Sequence, residues 1–461
     1  MTQESDAAAA ARARHERLVA ADHRHLWHPF TQMQDWLGED PVVIDSGDGV
    51  FLVDTMGRRY LDGVSSLWCN VHGHRVPEID AAVVAQLGRI AHSTMLGLAS
   101  TASIECAEEL VRIAPPGLTR VFFSDAGATA AEIALKMAYQ HFQLRGDPER
   151  KEFVAIRGGY HGDTIGSVSV GGIDLFHRIF KPLLFGVHRA PQPYCYRCPL
   201  GKTWPDCRMA CADEVEKVFE AHAGKVAALV IEPLVQGADG MIVQPPGYLR
   251  RMREICDRHG ALLICDEVAT GFGRTGTMFA VEQEGVRPDL MCVAKGLTGG
   301  YLPLAATLAT EEIYSGFLGS PAERKTFFHG HTYTGNPLAC AAALASLDVF
   351  EKERTLERLE PVMAALASKL ERIAELPHVG EVRRRGMMVG IELVKDRRTK
   401  EEYAYGDRIG HRVCMAVRRK GIILRPLGNV VVLMPPLSLT VGEAEWLGDA
   451  VREAIAEVTG S

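Results

Sequence analysis

The 461-residue sequence has no apolar run long enough to cross a membrane; its longest, such as 227–231 and 261–265, are strand-length. It has little net charge, since 51 Lys and Arg against 58 Asp and Glu leave −7. That balance gives no footprint for nucleic acid or an anionic membrane surface. The opening MTQESDAAAAARARHERL lacks the apolar segment of a secretory signal, and Glu4, Asp6 and Glu16 argue against a transit peptide. It reads as a frayed start leading into a short helix. Eleven cysteines, an odd number scattered through a large chain, make no disulfide framework. A cytoplasmic protein is expected. No repeat or low-complexity tract follows the Ala-rich start. What is present is 47% hydrophobic and 24% charged, ample apolar material to bury, which rules out disorder as the main state.

The length suits two or three domains, or one large α/β unit with a smaller partner. The middle of the chain alternates β-rich runs (121–124, 153–156, 228–232, 262–266, 290–294, 304–308) with helical patterns (129–143, 212–223, 248–259). Several of these runs are apolar throughout, as expected when helices cover both faces of a sheet. An α/β domain with a mostly parallel sheet follows. Beyond about residue 338 long helical patterns (338–351, 355–375, 407–420, 441–458) bracket short strands near 386–393 and 429–434, the texture of a smaller α+β domain. The stretch up to residue 71, with short strands at 42–45 and 50–53, is expected to pack beside it. The predicted partition is 1–71, 72–337 and 338–461.

In an open parallel sheet, function gathers at the carboxyl ends of the strands. Run 262–265 ends in Asp266-Glu267, and run 290–294 in Lys295. Alone, such a pair reads better as a structural salt bridge at a sheet edge. A third element shifts the balance. Phe122-Phe123-Ser124 runs into Asp125-Ala126-Gly127-Ala128-Thr129, a small-residue turn opening a helix, and such turns offer backbone N–H groups to an anion. A phosphate cradle, a strand-end Asp and a strand-end Lys together match the needs of pyridoxal phosphate.

These residues stand in a longer ordered set. DEVATGFGRTG at 266–276 and AKGLTGG at 294–300 resemble the signature of the class III pyridoxal-phosphate aminotransferases, as do GYHGDT at 159–164, IEP at 231–233 and GHTYTGNP at 330–337. The resemblance covers nearly the whole chain. It implies a fold-type I α/β architecture, a large domain with a mostly parallel sheet plus a smaller α+β domain, working as a homodimer with shared active sites. Within the class, HLWHPFTQM at 25–33, SSLWCNVHGH at 65–74, and LRPLG at 424–428 with LMPP at 433–436 resemble the 7,8-diaminopelargonate aminotransferases of biotin synthesis. Those enzymes move an amino group onto 7-keto-8-aminopelargonate from S-adenosylmethionine or, in some members, lysine.

The resemblance implies roles residue by residue. Lys295 is the catalytic lysine that bonds the cofactor and then shuttles a proton, tasks that a desolvated, neutral amine suits. Asp266 faces the pyridine nitrogen, Val268 packs on the ring and Tyr160 stacks on its other face. Gly127 and Ala128 bind phosphate, and Thr332 reaches it from the neighbouring subunit. Phe30, Trp68, Tyr160, Gly330 and Arg425 are the substrate-binding candidates, with Arg425 taking the keto acid's carboxylate. Glu232 and Asp163 look like supporting carboxylates, and Arg274 fits either the turn or the substrate mouth. Phe30, Leu67 and Val432 depart from aromatic positions of better-known members, which leaves the donor open between S-adenosylmethionine and lysine. The rival readings are an ω-amine:pyruvate-type class III aminotransferase and an aminomutase of the same fold. Outside the catalytic blocks, Cys195, Cys198, Cys207 and Cys211 have a spacing that suits zinc, reduced thiols or a local disulfide.

Overall fold

Strand Val226–Ile231 shows what orders the centre of the molecule. All six residues are buried, so the strand needs a layer on each face, and its apolar run supplies both. The computed structural model describes the backbone of residues 2–460 and side chains from residue 8. In it this strand lies in a seven-stranded sheet ordered Leu118–Ser124, Ala305–Thr310, Leu290–Val293, Leu262–Asp266, Val226–Ile231, Glu152–Ile156, His188–Ala190. Only Ala305–Thr310 runs against its neighbours; the other pairs are parallel. The mostly parallel sheet is as expected from the apolar runs.

Helix Gly127–Leu144 covers one face, with Ile133, Ala134 and Ala138 buried against strand residues Ala155, Val230 and Ile264. Helix Tyr248–His259 covers the other, burying Leu249, Met252 and Ile255, and the left-handed Gly260 ends it. Helices Pro77–Leu87 and Thr101–Ile113 pack on Pro337–Lys352. The first two were not anticipated, because β-branched residues such as Val83 and Val84 blur the helical period.

Two smaller sheets use the chain ends. Ile44–Asp48, Phe51–Asp54 and Arg59–Asp62 pair antiparallel, and Ile422–Ile423 joins the last of them in parallel, Ile422 opposite Leu61. Val379–Arg385, Met388–Asp396, Val430–Leu433 and Arg425–Leu427 form an antiparallel sheet. Against it pack helices Thr355–Ala374 and Ile409–Arg419, with Val441–Thr459 lying on both helices. The N-terminal start is a 24-residue helix, Thr2–His25, rather than a frayed start and a short helix. Alanine favours helix more than any other residue. Contacts on one side anchor it, from Arg14 Nη2 to Asp45 Oδ1 at 2.6 Å and from His15 Nδ1 to Thr55 Oγ1 at 2.8 Å. Among the described residues no helix is long and apolar enough to cross a membrane.

Arg274 joins these parts. It is 1% exposed, and its Nη1 and Nη2 donate to the backbone carbonyls of Pro435 and Asn70, each at 2.6 Å. Burial pulls its pKa down to about 10. It therefore acts as a clamp behind the site, not as part of a substrate mouth.

Candidate active site

The ends of three adjacent parallel strands bring charge together. Leu262–Asp266 ends in Asp266, Val226–Ile231 runs into Glu232, and Leu290–Val293 is followed by Ala294 and Lys295. All three charged side chains line one cavity of about 760 Å³, shared with Trp68, Tyr160 and Val268. Burial pushes Glu232 up to about 7, helped by the charge of Asp266 and opposed by that of His161. Its Oε2 accepts from the Tyr160 N–H and its Oε1 from the Gly237 N–H, each at 2.9 Å. Burial likewise lowers the Lys295 pKa, against the pull of Asp266 and Glu232. Lys295 sits at φ +46°, a left-handed conformation that costs a long side chain energy and aims Nζ into the cavity, 5.1 Å from the Trp68 ring centroid.

Asp266 is fixed from two sides. Its Oδ1 accepts from the Val268 N–H at 3.0 Å, and its Oδ2 lies 2.7 Å from His161 Nδ1. Burial alone would lower the His161 pKa, but the hydrogen bond and charge of Asp266 raise it above the ordinary value. The imidazole thereby braces the Asp266 side chain from the side opposite Val268. Sequence reasoning gave His161 no role, because nothing local in GYHGDT points to a partner 105 residues away.

Helix Gly127–Leu144 begins at the same cavity. Among the described residues the N–H groups of Gly127 and Ala128 donate to no group of the chain. Two such amides at the start of an 18-residue helix form an anion cradle. A Cβ at Gly127 would stand 2.6 Å from Val268 Cγ1, so this position takes only glycine. With a free cradle, a desolvated lysine and a braced carboxylate around one cavity, these residues fit a pyridine cofactor bearing a phosphate.

Trp68 stands at φ +63°, after Ser65 and Ser66 at +51° and +60°. Both Asp62 carboxylate oxygens hold the strained turn by accepting from the Ser66 N–H. Tyr160 donates to Asp163 Oδ2 at 2.6 Å, which accounts for that carboxylate. From Tyr160 an aromatic wall runs outward. Its ring meets Phe176 edge-on at 6.4 Å, and Phe176 meets Phe30 at 5.4 Å. Arg425 Cζ then lies 5.7 Å from the Phe30 centroid. Among the described residues the half-buried Arg425 guanidinium has no ion pair or side-chain hydrogen bond, and burial lowers its pKa. Phe176 went unnoticed in the sequence.

Gly330 and Thr332 are exposed and do not line this cavity. Leu67 is exposed and outside it too, and Val432 is buried in the core, so Val432 changes no pocket surface. All eleven cysteines are free. Cys195, Cys198, Cys207 and Cys211 border a small hole of about 10 Å³. Burial and neighbouring thiols push Cys195 up to about 11 and Cys211 up to about 12.

The aminotransferase class-III family profile matches residues 34–455, and the chain belongs to that family. A curated relative, the adenosylmethionine-8-amino-7-oxononanoate aminotransferase of Nitratidesulfovibrio vulgaris, is 60% identical over 451 residues, covering 97% of this chain and 83% of its own. The crystal structure of the enzyme of the same name from Methanocaldococcus jannaschii has a TM-score of 0.92 at 48% identity, covering 96% of this chain and 99% of that one. An amine transaminase from an uncultivated Pseudomonas species, solved in its PLP-bound form, has a TM-score of 0.90 at 41% identity, with 94% and 98% covered.

Proposed function

We propose that this chain transfers an amino group to 8-amino-7-oxononanoate (7-keto-8-aminopelargonate), giving the 7,8-diamino product of biotin synthesis. Pyridoxal 5'-phosphate is the cofactor and S-adenosylmethionine the donor. The observation that carries the substrate is Arg425, a half-buried guanidinium with no ion pair or side-chain hydrogen bond among the described residues, at the end of an aromatic wall leading from Tyr160. A long acid fits there, its carboxylate taken by Arg425 and its carbonyl placed at the lysine. The names of the relatives support the same acceptor and donor.

When bound, the cofactor supplies the electron sink that lets an amino group leave one carbon and join another. The amides of Gly127 and Ala128 hold its phosphate, Val268 and Tyr160 enclose its ring, and Asp266 holds the proton on its nitrogen. His161 positions Asp266 for that task. Lys295 Nζ, whose pKa burial lowers, moves the proton at the reacting carbon.

Residues 72–337 form the cofactor domain and 338–461 the small domain, with 1–71 packed beside the latter. The pairing of Ile422–Ile423 with Arg59–Asp62 supports that grouping. A homodimer completes the site, Thr332 reaching the phosphate of the second copy and Gly330 bordering its substrate. Two adjoining exposed segments favour this. His92 Nε2 lies 2.8 Å from the Thr332 carbonyl oxygen, and Leu96 (90% exposed) and Phe328 (82%) leave apolar surface open beside it.

The test is rescue of a biotin auxotroph lacking this step. Growth is expected; failure with well-expressed protein favours an ω-amine transaminase, a reading supported by the TM-score of 0.90 to an amine transaminase. Single-turnover bleaching of the cofactor absorbance with each donor decides between S-adenosylmethionine and lysine.

A further inference from the structure

At the amino edge of the seven-stranded sheet, away from the carboxyl ends that carry Asp266 and Lys295, three side chains converge from three elements. Glu152 opens strand Glu152–Ile156, and His188 opens its parallel neighbour His188–Ala190. His222 caps the end of helix Ala210–Ala221, where the chain turns back toward strand Val226–Ile231. His188 Nε2 and His222 Nδ1 each lie 2.9 Å from the same oxygen, Glu152 Oε2. The two imidazoles stack with centroids 3.6 Å apart. One donor atom from each of the three residues lies within 4.8 Å of the other two, and this is the only such group among the described residues.

We propose that Glu152, His188 and His222 form a binding site for a divalent transition-metal ion of the zinc, cobalt and nickel class. Two imidazole nitrogens and a carboxylate oxygen are the donor set these ions take, with nitrogen and oxygen about 2.0–2.2 Å from the metal. Nitrogens already gathered around one oxygen need only a small outward shift to admit an ion. The side chains are 27–32% exposed. An ion thus enters from solution, and water fills its remaining positions. Partial burial favours the protonated Glu152 carboxyl. The His188 hydrogen bond and the charges of His188, His222 and Lys225 outweigh it and hold Glu152 below its ordinary value. The Lys225 ammonium is the nearby charge that opposes a cation. The imidazoles bind as neutral rings, so affinity falls toward acid.

The competing place for such an ion is the cysteine loop, and the ligands differ enough for one experiment to tell them apart. Chelator-treated holoenzyme is titrated with Co²⁺ alone, following bound metal by dialysis and its absorption spectrum. The expected result is about one equivalent per chain, with no thiolate-to-cobalt charge-transfer band. His188→Gln and His222→Gln each weaken binding at least about tenfold, and Cys195→Ser leaves it unchanged. Circular dichroism and the cofactor absorbance of the variants report that the fold is intact. Absence of binding, parental affinity in either histidine variant, or a charge-transfer band that Cys195→Ser removes would each overturn the proposal. None of these readings depends on transaminase activity.

Discussion

At one edge of the large sheet Asp266, Glu232 and Lys295 line a cavity, whereas at the other Glu152, His188 and His222 are about a third exposed. Each edge gathers carboxylate and nitrogen. At the carboxyl edge burial dominates, raising Glu232 to about 7 and lowering Lys295 from its ordinary value. At the amino edge the neighbouring charges win and Glu152 stays below its ordinary value. The difference lies in desolvation rather than residue type.

The sharpest way to break this comparison is Lys295→Ala. Transamination should fall by roughly 10²–10⁴-fold or more, the usual worth of a positioned acid–base group. Borohydride should no longer fix pyridoxal phosphate to the protein, and a reduced adduct persisting in the variant would refute the assignment. Next comes Arg425→Ala, which should lower kcat/KM for the keto acid by about one to two decades, the worth of one charge-assisted contact. The half-reaction with an uncharged amine should hardly change. Equal losses in both would make Arg425 structural.

A third expectation concerns stability. Glu267, fully buried after Asp266, is pushed by burial from 4.5 up to about 7, although it accepts from Thr270 and from the Val281 N–H. Between those values the unfolded chain has released the proton and the folded one keeps it. Stability should therefore fall as pH rises from about 4.5 to about 7, by on the order of 3 kcal/mol from this group. Glu267→Gln should flatten that slope in chemical denaturation, and an unchanged slope would refute the buried-acid account. The amino edge should behave in the opposite sense, since Glu152, held low, gives stability that is lost as pH falls. The smallest effect is expected from His188→Gln, whose transaminase kcat should stay within about twofold of the parent, as for surface substitutions away from special features.

Much of the architecture was legible because the central strands are apolar throughout; Leu262–Asp266 and Tyr248–His259 fall where the residue pattern places them. The cluster of Asp266, Lys295 and the Gly127 turn was legible because strand ends and a helix start are local signals that share one edge. Contacts between remote residues were not. His161 meets Asp266 across 105 residues, Phe176 joins Phe30 to Tyr160, and Glu152 meets His188 and His222 only when strand and helix order are known. The strain at Ser65, Ser66 and Trp68 was hidden too, since none is a glycine to announce a left-handed backbone.

The parallel pairing of Arg59–Asp62 with Ile422–Ile423 has a consequence for birth of the protein on the ribosome. The partner strand is made some 360 residues later, which at about 5–20 residues per second is roughly twenty to seventy seconds of synthesis. During that interval the outer edge of the N-terminal sheet has open backbone groups, and Arg274 lacks one of the two carbonyls it will hold. The central sheet can close as it emerges, but the nascent chain must wait for its last tenth before the Arg274 clamp behind the site is tied. Chaperone dependence and sensitivity to C-terminal truncation should be concentrated in that window.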